Sequence, residues 1–132
     1  MRAFLLSILV LAFVAGCQSP PQPQDPPEGY DFGAYPSEIE SKVRAYFEVV
    51  LKDPESARYR YEDGFIKVVC NKWLGDRAIT YAGWGKVVGV NAKNSYGGYT
   101  GETRYAFLFE GERINNVFDN SEFSAKGCRK LD

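Results

Sequence analysis

The chain has 132 residues, 16 basic and 17 acidic, with a formal net charge of −1, no histidine and three cysteines. Such a balance argues against a nucleic-acid binder, which would need a basic face, and against a polybasic membrane patch. It also lacks the commonest general base and the commonest metal ligand. Its length is that of one small domain with appendages.

The order begins with Met1-Arg2, then an apolar run from Ala3 to Val14 broken only by Ser7, then the small residues Ala15 and Gly16. A positive start, an apolar middle and small residues before a cut make a secretory signal over residues 1–16. The run falls short of the roughly 20 apolar residues that span a bilayer. Val14-Ala15-Gly16-Cys17 resembles the lipobox of bacterial lipoproteins at all four positions. The resemblance implies a covalent lipid on Cys17 (a diacylglycerol cysteine, acylated with palmitate) after cleavage before it, and a home in the cell envelope. Two or more acyl chains anchor stably, at about 0.8 kcal/mol per buried CH₂. Gln18 follows the cysteine, which in a two-membrane host implies the periplasmic face of the outer membrane. The mature chain keeps 17 acidic and 15 basic residues, since Arg2 leaves with the signal, a net charge of −2.

Residues 17–36 read as a lipidated cysteine and a proline-rich tether. The run Gln18–Pro27 favours extended polyproline II, a semi-rigid spacer. Taken to Pro36, it would hold the domain on the order of 50 Å from the anchor at about 3.1 Å per residue. Tyr30, Phe32 and Tyr35 are apolar for a linker, so this end can dock on the domain.

Residues 37–132 read as a single α+β domain. Ser37-Glu38-Ile39-Glu40 has the form of a capping box. Ile39, Val43, Tyr46, Phe47 and Val50 then share one helical face, and Pro54 ends the helix near Asp53. Asp53-Pro54-Glu55-Ser56 can open a further single turn. Period-two patterning follows over Ala57–Tyr61, Phe65–Trp73, Arg77–Asn91 (one long strand, or two bent at Gly83 to Gly85), Thr103–Glu110 and Arg113–Phe118. Gly83, Gly85 and Gly89 share one strand face, leaving room for close approach, as of a helix lying across the sheet. Ser121–Lys126 reads as one or two helical turns stopped by Gly127. The expected fold is one N-terminal amphipathic helix packed on an antiparallel meander of about four to five strands.

With Cys17 used by lipid, Cys70 and Cys128 form an even pair in an oxidising compartment, which reads as a disulfide. Closing a loop of about 60 residues would stabilise the fold by roughly 4 kcal/mol in the chain-entropy treatment.

The densest polar and glycine-rich stretch is Val90–Gly101. Asn91, Lys93, Asn94, Ser95, Tyr96 and Tyr99 are its candidate binding residues, because loops longer than a turn needs often carry function. The competing reading has its glycines and asparagines serving only backbone geometry, with the tyrosines packed on the sheet. Asp53-Pro54-Glu55-Ser56-Ala57, followed by Val90-Asn91-Ala92-Lys93-Asn94-Ser95-Tyr96-Gly97-Gly98-Tyr99-Thr100-Gly101, resembles a family of uncharacterised bacterial exported and prophage-type proteins. That resemblance implies a shared fold and no particular activity. Lys93 and Ser95 lie two apart with no second base or orienting group, a poor nucleophilic pair. The expected function is non-catalytic: a membrane-anchored envelope protein binding a protein partner through this loop. The alternative is a peptidoglycan-binding module in which Tyr96, Tyr99 and Trp84 stack on sugars, and a small hydrolase comes behind both. No metal site and no cofactor beyond the covalent lipid is expected.

Overall fold

A computed structural model describes residues 18–132; the expectations for the signal segment and for Cys17 lie outside that range. The fold is α+β. Helix α1 (Ile39–Val50) leads into a 3₁₀ turn (Pro54–Ser56), then β1 (Arg58–Tyr61), β2 (Ile66–Asn71), β3 (Ile79–Asn91), β4 (Thr103–Glu110), β5 (Arg113–Asp119), α2 (Asn120–Ala125) and β6 (Cys128–Leu131). All strand pairs are antiparallel, in the order β5-β4-β3-β2-β6, with β1 also on β3.

The sheet has six strands, not four or five, and it is not a simple meander. The extra strand is β6, which returns to the free side of β2 and sets Cys128 opposite Cys70. Those two cysteines form the disulfide. The 13-residue β3 runs unbroken through its glycines and organises the sheet. Along one edge it pairs β2 with its first half and β1 with its second. The gap between them is held by Lys86, whose ammonium donates to the carbonyls of Glu62 and, at 2.8 Å, Gly64.

Alternation along the strands divides the core in two. On one face Val43 and Phe47 of α1 pack on Val88, Val90, Phe107 and Phe109. The Phe47 ring meets Tyr105 edge-on at 5.1 Å. On the other face Val68, Leu108, Phe118 and the disulfide form a second cluster, with Phe123 of α2 against it. Helix α2 touches β4, β5 and β6, so it connects the two opposite edges of the sheet.

Gly83, Gly85 and Gly89 lie on this second face, away from α1, and no helix fills the space they leave. Side chains do. A Cβ on Gly83 would fall 2.4 Å from the Tyr81 hydroxyl, one on Gly85 2.9 Å from Val68, and one on Gly89 2.3 Å from the Glu102 carboxyl carbon. Tyr81 donates to the Phe109 carbonyl at 2.7 Å, and burial pushes its phenol up to about 12. Over Gly89 the Arg60 guanidinium grips Glu102, which holds that carboxyl below the usual range.

The capping box does not form. Glu38 takes the N-cap position in a left-handed conformation (φ 49°), with no side-chain cap. The Ser37 N–H and hydroxyl both donate to the Glu112 carboxylate at 2.9 Å, and Lys42 pairs with the same oxygen. The buried Pro36 brings the chain in beside the β4–β5 turn, so a carboxylate distant in sequence displaces Glu40.

The tether also differs from a free spacer. Asn71, buried at the end of β2, donates to the carbonyls of Gln24 (2.8 Å) and Arg77 (2.9 Å). Arg129 of β6 also reaches the Gln24 carbonyl, at 3.1 Å, and pairs with Asp25. Downstream, Phe32 lies 5.4 Å and Tyr35 4.5 Å from the Trp84 ring, and Trp84 Nε1 donates to the Gly33 carbonyl at 3.0 Å. Residues 24–37 are thus a strap. Trp84 is on the α1 face, so helix and strap cover different parts of one side of the sheet. The stretch between Cys17 and Gln24 extends to about 20 Å, in place of 50 Å. No helix among the described residues is long and apolar enough to cross a membrane.

Candidate functional site

The loop between β3 and β4 is built around Asn94. Its N–H donates to the Gly98 carbonyl at 2.9 Å, and its carbonyl accepts from the Gly97 N–H at 3.0 Å. Its side-chain oxygen accepts from the N–H groups of Tyr96 (2.9 Å) and Gly98 (3.2 Å). Lys93 and Tyr99 face each other across this small hairpin. Gly97 (φ +79°) supplies the left-handed position that closes it. Asparagine suits the centre because its short amide can satisfy backbone donors two and four residues on.

The hairpin is seated on the 3₁₀ turn by both arms. Ser56 Oγ accepts from the Lys93 N–H at 2.9 Å, and the Ser56 carbonyl accepts from the Tyr99 hydroxyl at 2.9 Å. Asp53 caps that turn by accepting from the Ser56 N–H at 3.3 Å. Thus the two stretches on which the family resemblance rests, Asp53–Ala57 and Val90–Gly101, meet through one serine. A third tie comes from the end of α1, where Lys52 Nζ donates to Ser95 Oγ at 2.7 Å. The Arg58 guanidinium lies 4.2 Å from the Tyr99 ring centroid and Lys93 Nζ lies 5.8 Å from it.

These ties give the two tyrosines different places. Tyr99 is 37% exposed and held by its hydroxyl, whereas Tyr96 is 97% exposed. Beside them a cleft of about 380 Å³ separates the end of α1 (Val50, Leu51, Lys52) from Lys93, Asn94 and Ser95. Asn91 is not brought into this cleft. It ends β3 opposite Arg58, with its side-chain oxygen buried and without a partner among the described residues.

Trp84 does not join the loop. The strap covers it, so of the three rings expected to stack on sugars only Tyr96 and Tyr99 share a site. The contact for Ser95 is Lys52 rather than Lys93. Both partners are exposed, and nothing desolvates the amine as a nucleophile–base pair requires. Glu110 and Glu112 engage structural partners: Arg113 holds Glu110 below the usual carboxylate range, and Lys42 with Ser37 draws Glu112 down to about 2. No cluster of three or more potential metal ligands occurs among the described residues.

The loop reading overlooked Lys52, Ser56 and Arg58. Only the Asp53–Ala57 stretch gave any signal for them, and nothing in the local pattern said that this turn would seat the loop. Comparison with protein-family models, with curated proteins and with solved structures returned no match.

Proposed function

We propose that this is a non-catalytic lipoprotein of the bacterial cell envelope that binds a protein partner through the Lys93–Tyr99 hairpin. In this reading residues 1–16 direct export and Cys17 carries the lipid, on the periplasmic face of the outer membrane where the host has two membranes. The chain is read as a member of the exported and prophage-type family that its motif resembles. The observation that carries the binding role is Tyr96: a fully exposed aromatic on a backbone fixed by Asn94, Ser56 and Lys52. Rigid aromatic anchors contribute contact area at low cost in conformational entropy, which is why interfaces are enriched in them.

A photo-crosslinking amino acid at position 96 tests this in intact cells, with the same group at Trp73 as the control, since that residue is exposed on a different turn. A discrete protein adduct at position 96 and none at 73 is expected. Equal labelling at both sites, or none, would sink the proposal. Sedimentation of the soluble domain with purified peptidoglycan, abolished by Tyr96→Ala, would replace the protein partner with a glycan. Release of Cys17→Ser from the membrane fraction tests the anchor.

A further inference from the structure

The cleft beside the hairpin carries charge of one sign. Lys52 and Lys93 are the only charged residues lining it, in a chain whose formal charge is −1. Arg58 stands outside the cleft, against the Tyr99 ring. None of the three has a carboxylate within 4 Å among the described residues, a state they share with Arg44, Lys67, Arg77, Lys86, Lys126 and Lys130; what sets Lys52 and Lys93 apart is that both line one cleft. The nearest acids are committed or turned away. Asp53 caps the 3₁₀ turn, and Glu48 and Glu55 line a separate depression with Arg44. Lys52 instead donates to a neutral hydroxyl, and Lys93 lies 5.8 Å from the Tyr99 ring centroid. Below the cations the cleft wall is apolar, with Val50, Leu51, Val90 and Tyr105.

We infer that this cleft takes an acidic peptide segment of the partner protein. Its carboxylates meet Lys52 and Lys93, and an aliphatic side chain enters between Val50 and the hairpin. The inference rests on the hairpin being the contact surface and adds the chemistry of what it contacts. A volume of about 380 Å³ lies at the low end for ligand sites, which suits one or two side chains rather than a cofactor. Two exposed cations whose partners are hydroxyl and ring can exchange them for carboxylates without unpairing any buried charge.

The probe is a fluorescein-labelled peptide of alternating glutamate and leucine, titrated into the soluble domain and followed by anisotropy. Its lysine–leucine counterpart and polygalacturonate serve as comparators. The glutamate peptide is expected to bind, more weakly as salt rises, and neither comparator to match it. Lys52→Gln and Lys93→Gln should each weaken binding about threefold to fivefold and the double variant about tenfold or more, while Lys93→Arg retains it. Lys72→Gln, on the β2–β3 turn, should change nothing. Unchanged melting temperatures would exclude unfolding as the cause, since these side chains are exposed. Absence of binding, equal binding of either comparator, or full affinity in the double variant would overturn the inference. A position-96 adduct that excess glutamate peptide does not suppress would overturn the acidic partner and leave the hairpin as the contact surface. Absence of the adduct would remove the hairpin reading itself.

Discussion

Replacing Phe32 by alanine separates a docked strap from a loose linker. Phe32 is half-buried, with Trp84 at 5.4 Å, Tyr30 at 4.9 Å and the Lys67 ammonium 5.3 Å from its ring centroid. Truncating a fully buried phenylalanine costs about 3–5 kcal/mol, so a half-buried one should cost about 2 kcal/mol. For a domain of this size that is a fall of about 8 °C in melting temperature. Trp84 supplies an independent readout. The only other tryptophan, Trp73, is 66% exposed, so Trp73→Phe leaves emission to report on the strap alone. In that background Phe32→Ala should shift emission to longer wavelength and increase quenching by acrylamide. A strap that is undocked in solution leaves Trp84 open already. An unchanged spectrum together with a melting temperature within about 1 °C would therefore refute the reasoning.

Other contacts of the fold give outcomes of their own. Glu112 has a folded-state carboxyl at about 2 against an ordinary value of 4.5, so its stabilisation is complete above about pH 4.5 and is lost as the pH falls toward 2. Glu112→Gln should therefore lower the melting temperature at pH 7 and converge with the parent on acidification; a gap constant with pH would contradict this. Tyr96→Ala should leave stability within about 0.5 kcal/mol, and Tyr99→Phe should cost about 1 kcal/mol through the lost bond to Ser56, both read by urea unfolding. A larger loss at Tyr96 would mean that it is packed. Gly127→Ala should cost about 3 kcal/mol, because φ is +75° and the new Cβ would lie 2.5 Å from the Asn71 carbonyl oxygen. Gly89→Ala should cost only about 1 kcal/mol, because the new Cβ meets the end of the Glu102 side chain and not backbone, and yielding costs at most the exposed Arg60–Glu102 pair. Equal costs in urea would show that neither contact is as described.

The strands were legible because β-branched and aromatic runs are bounded by turn residues. Thr103–Glu110 is an aromatic-rich apolar run between polar ends, with Phe107 and Phe109 buried in one cluster and Leu108 in the other, and it forms β4 over that span. Cys128–Leu131 was not, since a four-residue strand with two charges at a chain end carries no period of its own. Its position is set by the disulfide and by a hydrogen bond from the Asn71 N–H to the Gly127 carbonyl. Ser37 misled for a related reason. The local capping pattern was present, but a carboxylate 75 residues away offered the same hydroxyl a charged acceptor. At the loop, glycine and asparagine correctly marked tight geometry. Which tyrosine stays free depends on Ser56 and Lys52, and such long-range ties leave no mark on local spacing.

The long strand β3 gives the molecule two poles. Its 13 residues, at about 3.3 Å each, put the Arg77 end roughly 40 Å from the hairpin that follows Asn91. The strap joins the fold at the Arg77 end, where Gln24 is held. For a chain tethered through Cys17, height above the membrane then comes more from a rigid strand than from a flexible leash. Tyr96 lies on the hairpin at the pole opposite the one where the strap is held. Lengthening the leash would add slack at the base while leaving the geometry of presentation intact.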